Sequence, residues 1–251
     1  MIEFDVTFFV FAVPAVIFAG ISKGGFGSGA SFASAVILAL ILPPEVALGM
    51  MLPLLMLIDL GSLPAFWGRW SWPDCARVLI GSLPGVALGV ALFSYSNPDL
   101  LRFLIGFIAL AFVAWQLAQS ASLVPMPRRR LASVWGVITG TVAGFTSFIS
   151  HAGGPPVAVY LLSQKLDKTT YQASTVLIFW VINILKFGPY AALGAFSGQT
   201  WLAVLILAPV ALLGTWLGIK AHRIVPERAF FAITYVLLTV TGTRLIWLAL
   251  A

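Results

Sequence analysis

The length of the uncharged runs constrains this chain more than any other feature. Leu100–Leu117 and Phe230–Leu250 each carry one arginine and no other charge. About 20 apolar residues in helical form cross the hydrocarbon core of a bilayer. Over all 251 residues, 61% are apolar and only 9% charged, against about 25% charged in a soluble domain. A surface so poor in charge does not stay in water, so lipid is the solvent. In lipid the backbone must satisfy its own hydrogen bonds, through helices or a closed barrel. The runs lack the apolar/polar alternation of barrel strands, so the expected fold is an all-α polytopic membrane protein.

The net charge of +6 comes without a basic patch interleaved with aromatics, so nucleic acid is not an expected partner. The single Cys75 excludes an intrachain disulfide framework or a cysteine metal cluster. The N-terminus, Met1-Ile2-Glu3-Phe4-Asp5, has acids where a signal peptide has bases, and reads as mature protein. There is no zinc spacing, P-loop or dinucleotide fingerprint, and His222 is far from His151. No cofactor and no metal are expected, and a self-contained ATP-driven pump is excluded.

Apolar segments fall near 6–21, 27–42, 45–66, 73–94, 98–118, 131–149, 153–165, 171–196, 200–220 and 226–249. The first, second and seventh are short for full crossings. The loop holding Arg128-Arg129-Arg130 is the clearest cytoplasmic marker, since Lys and Arg collect on that side. Alternate loops outward from it carry Arg69, Lys165 with Lys168, and Lys220 with Arg223, while loops 43–45, 94–98 and 196–200 carry none. One assignment satisfies every loop: both termini outside, in the cytoplasmic membrane. A re-entrant hairpin from the first two segments preserves this parity.

The two halves resemble each other. With a shift of 129, Trp72, Leu83, Gly85, Leu88 and Gly89 meet Trp201, Leu212, Gly214, Leu217 and Gly218. One residue of gap brings Pro98-Asp99 onto Pro226-Glu227, and a shift near 125 brings Gly24–Gly29 near His151–Pro156. Residues 1–120 form a first repeat, 121–130 a basic cytoplasmic linker and 131–251 a second repeat. Five segments per half invert the second repeat, an architecture of secondary transporters.

In each half a Gly/Pro break interrupts apolar sequence, and its first two segments are expected to form a broken or re-entrant hairpin. Glycine exposes backbone N–H groups, and a helix starting after the break aims its positive end at the cavity. Gly27-Ser28-Gly29 is expected to open a helix over 30–42, and Gly153-Gly154-Pro155 one over 157–162, the two tips meeting near the midplane as an anion site. The alternative is that the glycines only permit close helix packing.

The segment His151-Ala152-Gly153-Gly154-Pro155-Pro156-Val157-Ala158-Val159-Tyr160-Leu161-Leu162, with the glycine-rich 20–29 stretch, resembles the sulfite exporter TauE/SafE family, also called the 4-toluene sulfonate uptake permeases. The resemblance covers nearly the whole chain, and implies transport of organic sulfonates, sulfite and related sulfur oxyanions. Ser28 and Ala30 depart from the denser glycine run common in the family's first repeat.

Ionisable residues within spans are functional candidates by default. Lys23 at the first break either helps hold an anion or snorkels to the interface. His151 at the second either bonds substrate or relays a proton, or else caps a helix. Asp59 is a candidate for proton coupling, or else pairs with Lys186, Lys23 or Arg77; Asn183 matches it under a shift of 124. Lys186 is a second candidate anion contact, and Arg244 is expected at the interface. Ser28, Ser31, Thr146, Ser147, Ser150 and Tyr160 can donate to sulfonate oxygens, although Ser and Thr in membrane helices usually bond their own backbone. The expected substrate site is Lys23, Gly25, Gly27, Ser28, Gly29, His151, Gly153, Gly154, Pro155 and Lys186, with Asp59 and His151 for protons. The expected activity is secondary transport of a small sulfur oxyanion or organosulfonate, proton-coupled and by alternating access, with a homo-oligomer open. An anion channel with the same site, or an intramembrane enzyme using His151 and Asp59 as acid–base pair, are the rivals.

Overall fold

A computed structural model describes residues 2–26, 29–123, 129–221 and 227–251, the side chains of 221 and 227–229 excepted. The described residues form ten helices and no strand: α1 (Val6–Gly25), α2 (Ala33–Leu38), α3 (Pro44–Phe66), α4 (Trp72–Tyr95), α5 (Pro98–Ser120), α6 (Ser133–Ser150), α7 (Gly154–Ser163), α8 (Lys168–Ala192), α9 (Gly198–Ala221) and α10 (Glu227–Leu250). Eight of them are long and apolar enough to cross a membrane. The protein is a multi-pass membrane protein.

Local chemistry sets the starts. Asp5 accepts the Phe8 amide at 2.8 Å and caps α1. Asn97 accepts the Leu100 amide at 2.7 Å before Pro98 opens α5. Asp167 accepts the Thr169 and Thr170 amides, which starts α8 three residues earlier than expected from the apolar segment.

Two expectations need correction. The first segment does not stop short at residue 21: α1 continues through Gly25, 20 residues in all, and is long enough to span. Its glycines lie on another backbone instead of breaking the helix. A Cβ on Gly20 would sit 2.6 Å from the Thr215 amide nitrogen, and one on Gly24 2.6 Å from the Thr215 carbonyl. The second segment is not a helix over 30–42. Only Ala33–Leu38 is α-helical, with single turns on either side. The matching α7 begins at Gly154 with two prolines in its first turn, where a missing N–H breaks no helical bond. Its ten residues cover about 15 Å, half the hydrocarbon thickness.

Helices of opposite halves lie along one another: α1 on α9, α4 on α6, α3 on α8 and α5 on α10. Glycine makes the closest of these contacts. On α4, Gly81 and Gly85 meet the carbonyls of Val137 and Thr141; on α6, Gly140 and Gly144 meet those of Val78 and Ser82. Such small-residue faces let backbones approach where no hydrophobic force drives helices together. Loops 67–71, 129–132 and 164–167 share one end of the bundle, here the basic face. Residues 2–5, 39–43, 96–97 and 193–197 share the other.

Candidate functional site

Between the halves a buried polar cluster crosses the bundle. The Lys23 Nζ lies 2.6 Å from Asp59 Oδ1, both side chains under 5% exposed. The other oxygen, Oδ2, accepts from Asn183 Nδ2 at 2.8 Å. The carboxylate therefore ties α1, α3 and α8 together. Burial of an ion pair in low dielectric is costly unless the charges lie this close. Of the three cations considered for Asp59, Lys23 is the one it pairs with. Arg77 pairs instead with Asp74 at 2.9 Å and donates to the Tyr160 hydroxyl at 3.2 Å.

One layer away, the Lys186 Nζ reaches the Ser147 carbonyl and hydroxyl at 3.0 Å each and His151 Nδ1 at 2.9 Å. These account for the three donors of an ammonium. The Tyr190 hydroxyl, one turn on, donates to the Phe148 carbonyl at 2.6 Å. Both side chains cap the end of α6, where a cation meets the negative pole of the helix. His151 itself ends α6 in the left-handed region, φ 58°, a conformation in which His is among the better-tolerated residues. A protonated Lys186 can only donate, which makes Nδ1 the acceptor and leaves the Nε2 proton for the Leu48 carbonyl at 3.1 Å. The imidazole thus links α8 to the α3 backbone. The cluster holds two lysines against one aspartate.

A cavity of about 480 Å³ opens beside this cluster on the basic face. Both breaks border it: Gly25, Phe26 and Gly29 from the first, Pro155 with Ala158, Val159 and Leu162 from α7. Phe112, Trp115, Gln116 and Gln119 of α5, with Lys168 and Gln172, complete much of the wall. Gln172 holds the chain end of α1, donating to the Lys23 carbonyl at 2.9 Å, and Gln116 donates to the Tyr235 hydroxyl at 3.1 Å.

Of the residues expected from sequence, Gly25, Gly29 and Pro155 line this cavity. Lys23, Asp59, His151 and Lys186 lie in the cluster behind it, bonded to one another or to backbone. Gly153 and Gly154 are buried at the start of α7, a Cβ on Gly153 meeting Phe179 at 2.8 Å. Gly27 and Ser28 lie outside the described residues, as do Arg128 and His222. Pro155 and Pro156 carry no N–H, so α7 offers an anion fewer donors than a bare helix start. Thr146 and Ser150 bond carbonyls of their own helix, at 2.9 and 3.0 Å. Tyr160 donates to Asp74 at 3.1 Å. The glutamines went unnoticed in the sequence. Their signal was present, since Gln116 and Gln119 are amides three apart that follow an apolar stretch over 103–115, hence on one face.

Neither curated proteins nor solved structures return a match to this chain. The family description "Sulfite exporter TauE/SafE" matches residues 12–245, nearly the whole chain and both breaks. With eight spanning helices and a cavity bordered by the glycine- and proline-rich breaks, the chain belongs to the sulfite exporter TauE/SafE family of membrane anion transporters.

Proposed function

We propose that this chain is a secondary transporter of the cytoplasmic membrane that moves a small sulfur oxyanion or organosulfonate by alternating access. The two halves, residues 1–120 and 131–251, act as inverted repeats joined by the basic 121–130 linker. The basic face is cytoplasmic, as the loop charges require. The observation that carries the reading is that one cavity is bordered by both sequence breaks. In support of the repeat, Asp59 and Asn183, equivalent under the shift of 124, bond each other at 2.8 Å. Residues equivalent across a two-fold axis meet one another when they lie on it.

Gln116 and Gln172 offer amide donors to the anion, and Lys168 stands at the mouth. Lys23 and Lys186 lie in the cluster behind the cavity wall, bonded within the bundle and not to the substrate. Asp59 is the proton-coupling group: protonation releases Lys23 and loosens the tie between α1 and α3. Movement of the repeats about the cluster then exchanges access.

Purified protein in liposomes, loaded with sulfite or an aryl sulfonate, is expected to accumulate the anion against its gradient when a pH gradient is imposed. Asp59→Asn is expected to keep anion exchange while losing the response to pH. Absence of flux for both anions, together with absence of binding in detergent, sinks the proposal. Flux without accumulation makes the protein a channel.

A further inference from the structure

On the face opposite the cavity lies a shallower cleft of about 350 Å³, bordered by Ala39–Pro43, Arg102 and Leu248. Its wall repeats that of the cavity. Leu166 and Lys168 of the cavity fall on Ile41 and Pro43 of the cleft under a shift of 125. Gln119 and Phe231 of the cavity fall on Leu248 and Arg102 under a shift of 129, the shift that also relates α4 to α9. The buried faces of α5 and α10 agree with 129 as well. Leu101, Ile105, Ala109 and Phe112 are buried, and so are Phe230, Thr234, Leu238 and Thr241. The helix faces thus set a register one residue away from that of Pro98 on Pro226.

We infer that this cleft is the closed counterpart of the cavity, opening into a vestibule on the non-basic face in which Arg244 recruits an oxyanion. The inference rests on the inverted-repeat reading proposed above. Val159 and Leu162 of α7, which line the cavity, fall on Ser34 and Ile37 of α2. Ser34 is fully buried here, its hydroxyl bonded to the Ser31 carbonyl at 2.7 Å. Trp115, another lining residue, falls on Arg244. Arg244 stands one turn before Leu248, so both occupy the flank of α10 turned toward the cleft. It is exposed and has no ion pair among the described residues, whereas Arg102 is neutralised by Asp99 at 2.6 Å. An arginine in an apolar helix is costly and needs a use. Aromatic and amide groups wall the inner cavity, but a guanidinium stands at the outer one, with planar donors suited to a sulfonate or sulfite.

Cysteine accessibility tests this in liposomes, in a Cys75→Ser background that removes the one native thiol. Ser34→Cys and Ile37→Cys are expected to react with a membrane-impermeant thiol reagent from the non-basic face. Leu54→Cys, buried on α3 away from cleft and cavity, is expected to stay unlabelled. Protection of both positions on α2 overturns the inference even if anion accumulates; labelling without flux of any sulfur oxyanion leaves the vestibule standing and removes the transport reading. Arg244→Gln is expected to raise KM for anion offered from the non-basic face by about tenfold, the low end of charge-focusing effects. KM from the basic face is expected to stay unchanged. Arg244→Lys restores most of the capture, and the difference shrinks at high ionic strength. An Arg244→Gln effect equal from both faces, or independent of salt, overturns the role of Arg244.

Discussion

Lys23 and Asp59 form a buried ion pair, so removing the lysine strands a charge in the core. Lys23→Met leaves a buried carboxylate held by Asn183 alone, and is expected to cost about 3–5 kcal/mol. Adding Asp59→Leu restores most of the loss, because a well-packed apolar pair is often no worse than a buried ion pair. Thermal unfolding of the two variants in detergent checks the sign, and an additive double variant refutes the coupling. The sequence made this partnership legible: few charges exist, so a buried acid has few candidates. It left Lys186 open, because the groups that engage it, the Ser147 carbonyl and His151 Nδ1, include a backbone atom that any residue supplies. His151 was legible as a break and as a helix cap. Its bond to the Leu48 carbonyl depends on which helix of the other half lies opposite.

Among the elements, glycine has two meanings that sequence does not separate. Gly85 is pressed against the Thr141 carbonyl on α6, while Gly188 on α8 has nothing within 4 Å of where a Cβ would stand. Gly85→Ala is expected to destabilise by about 1–3 kcal/mol through overpacking. Gly188→Ala is expected to stabilise by about 0.5–1 kcal/mol by removing backbone freedom. Melting temperatures that shift in the same direction refute the distinction. At the start of α8, the Thr170 hydroxyl and the Thr170 and Thr169 amides hold the Asp167 carboxyl below the usual carboxylate range. Its folded pKa is depressed, so the cap contributes above about pH 4, the unfolded value. The contribution is lost as pH falls through the folded value. Asp167→Asn is expected to flatten the acid limb of a melting curve taken across pH, and an unchanged acid limb counts against the cap. Long elements such as α3, α5 and α10 were legible because one apolar run marks each. The end of α1 was not, since Gly24-Gly25 reads alone as a breaker and only α9 makes it a packing surface.

At the level of the whole molecule, filling the cavity proposed as the transport site separates function from stability. Val159 is half-buried on its wall. Val159→Trp is expected to abolish anion flux while the melting temperature holds. Full flux through the filled cavity places the pathway elsewhere. The cavity itself was not readable from the chain. Its walls come from α5, α7 and α8 together with the end of α1, and their union depends on how the halves interlock.

That interlocking also bears on how the protein is made. The glycine face of α1 finds its partner only when α9, beginning at Gly198, has left the ribosome. At about 5–20 residues per second, α1 waits on the order of ten seconds or more in the membrane with that face uncovered. Through this interval a nascent chain is open to capture by insertion chaperones or by membrane proteases that recognise loosely packed helices. A variant that folds well once complete can therefore still be lost during synthesis, if it slows the arrival of α9 or weakens the hold of the first helices on one another.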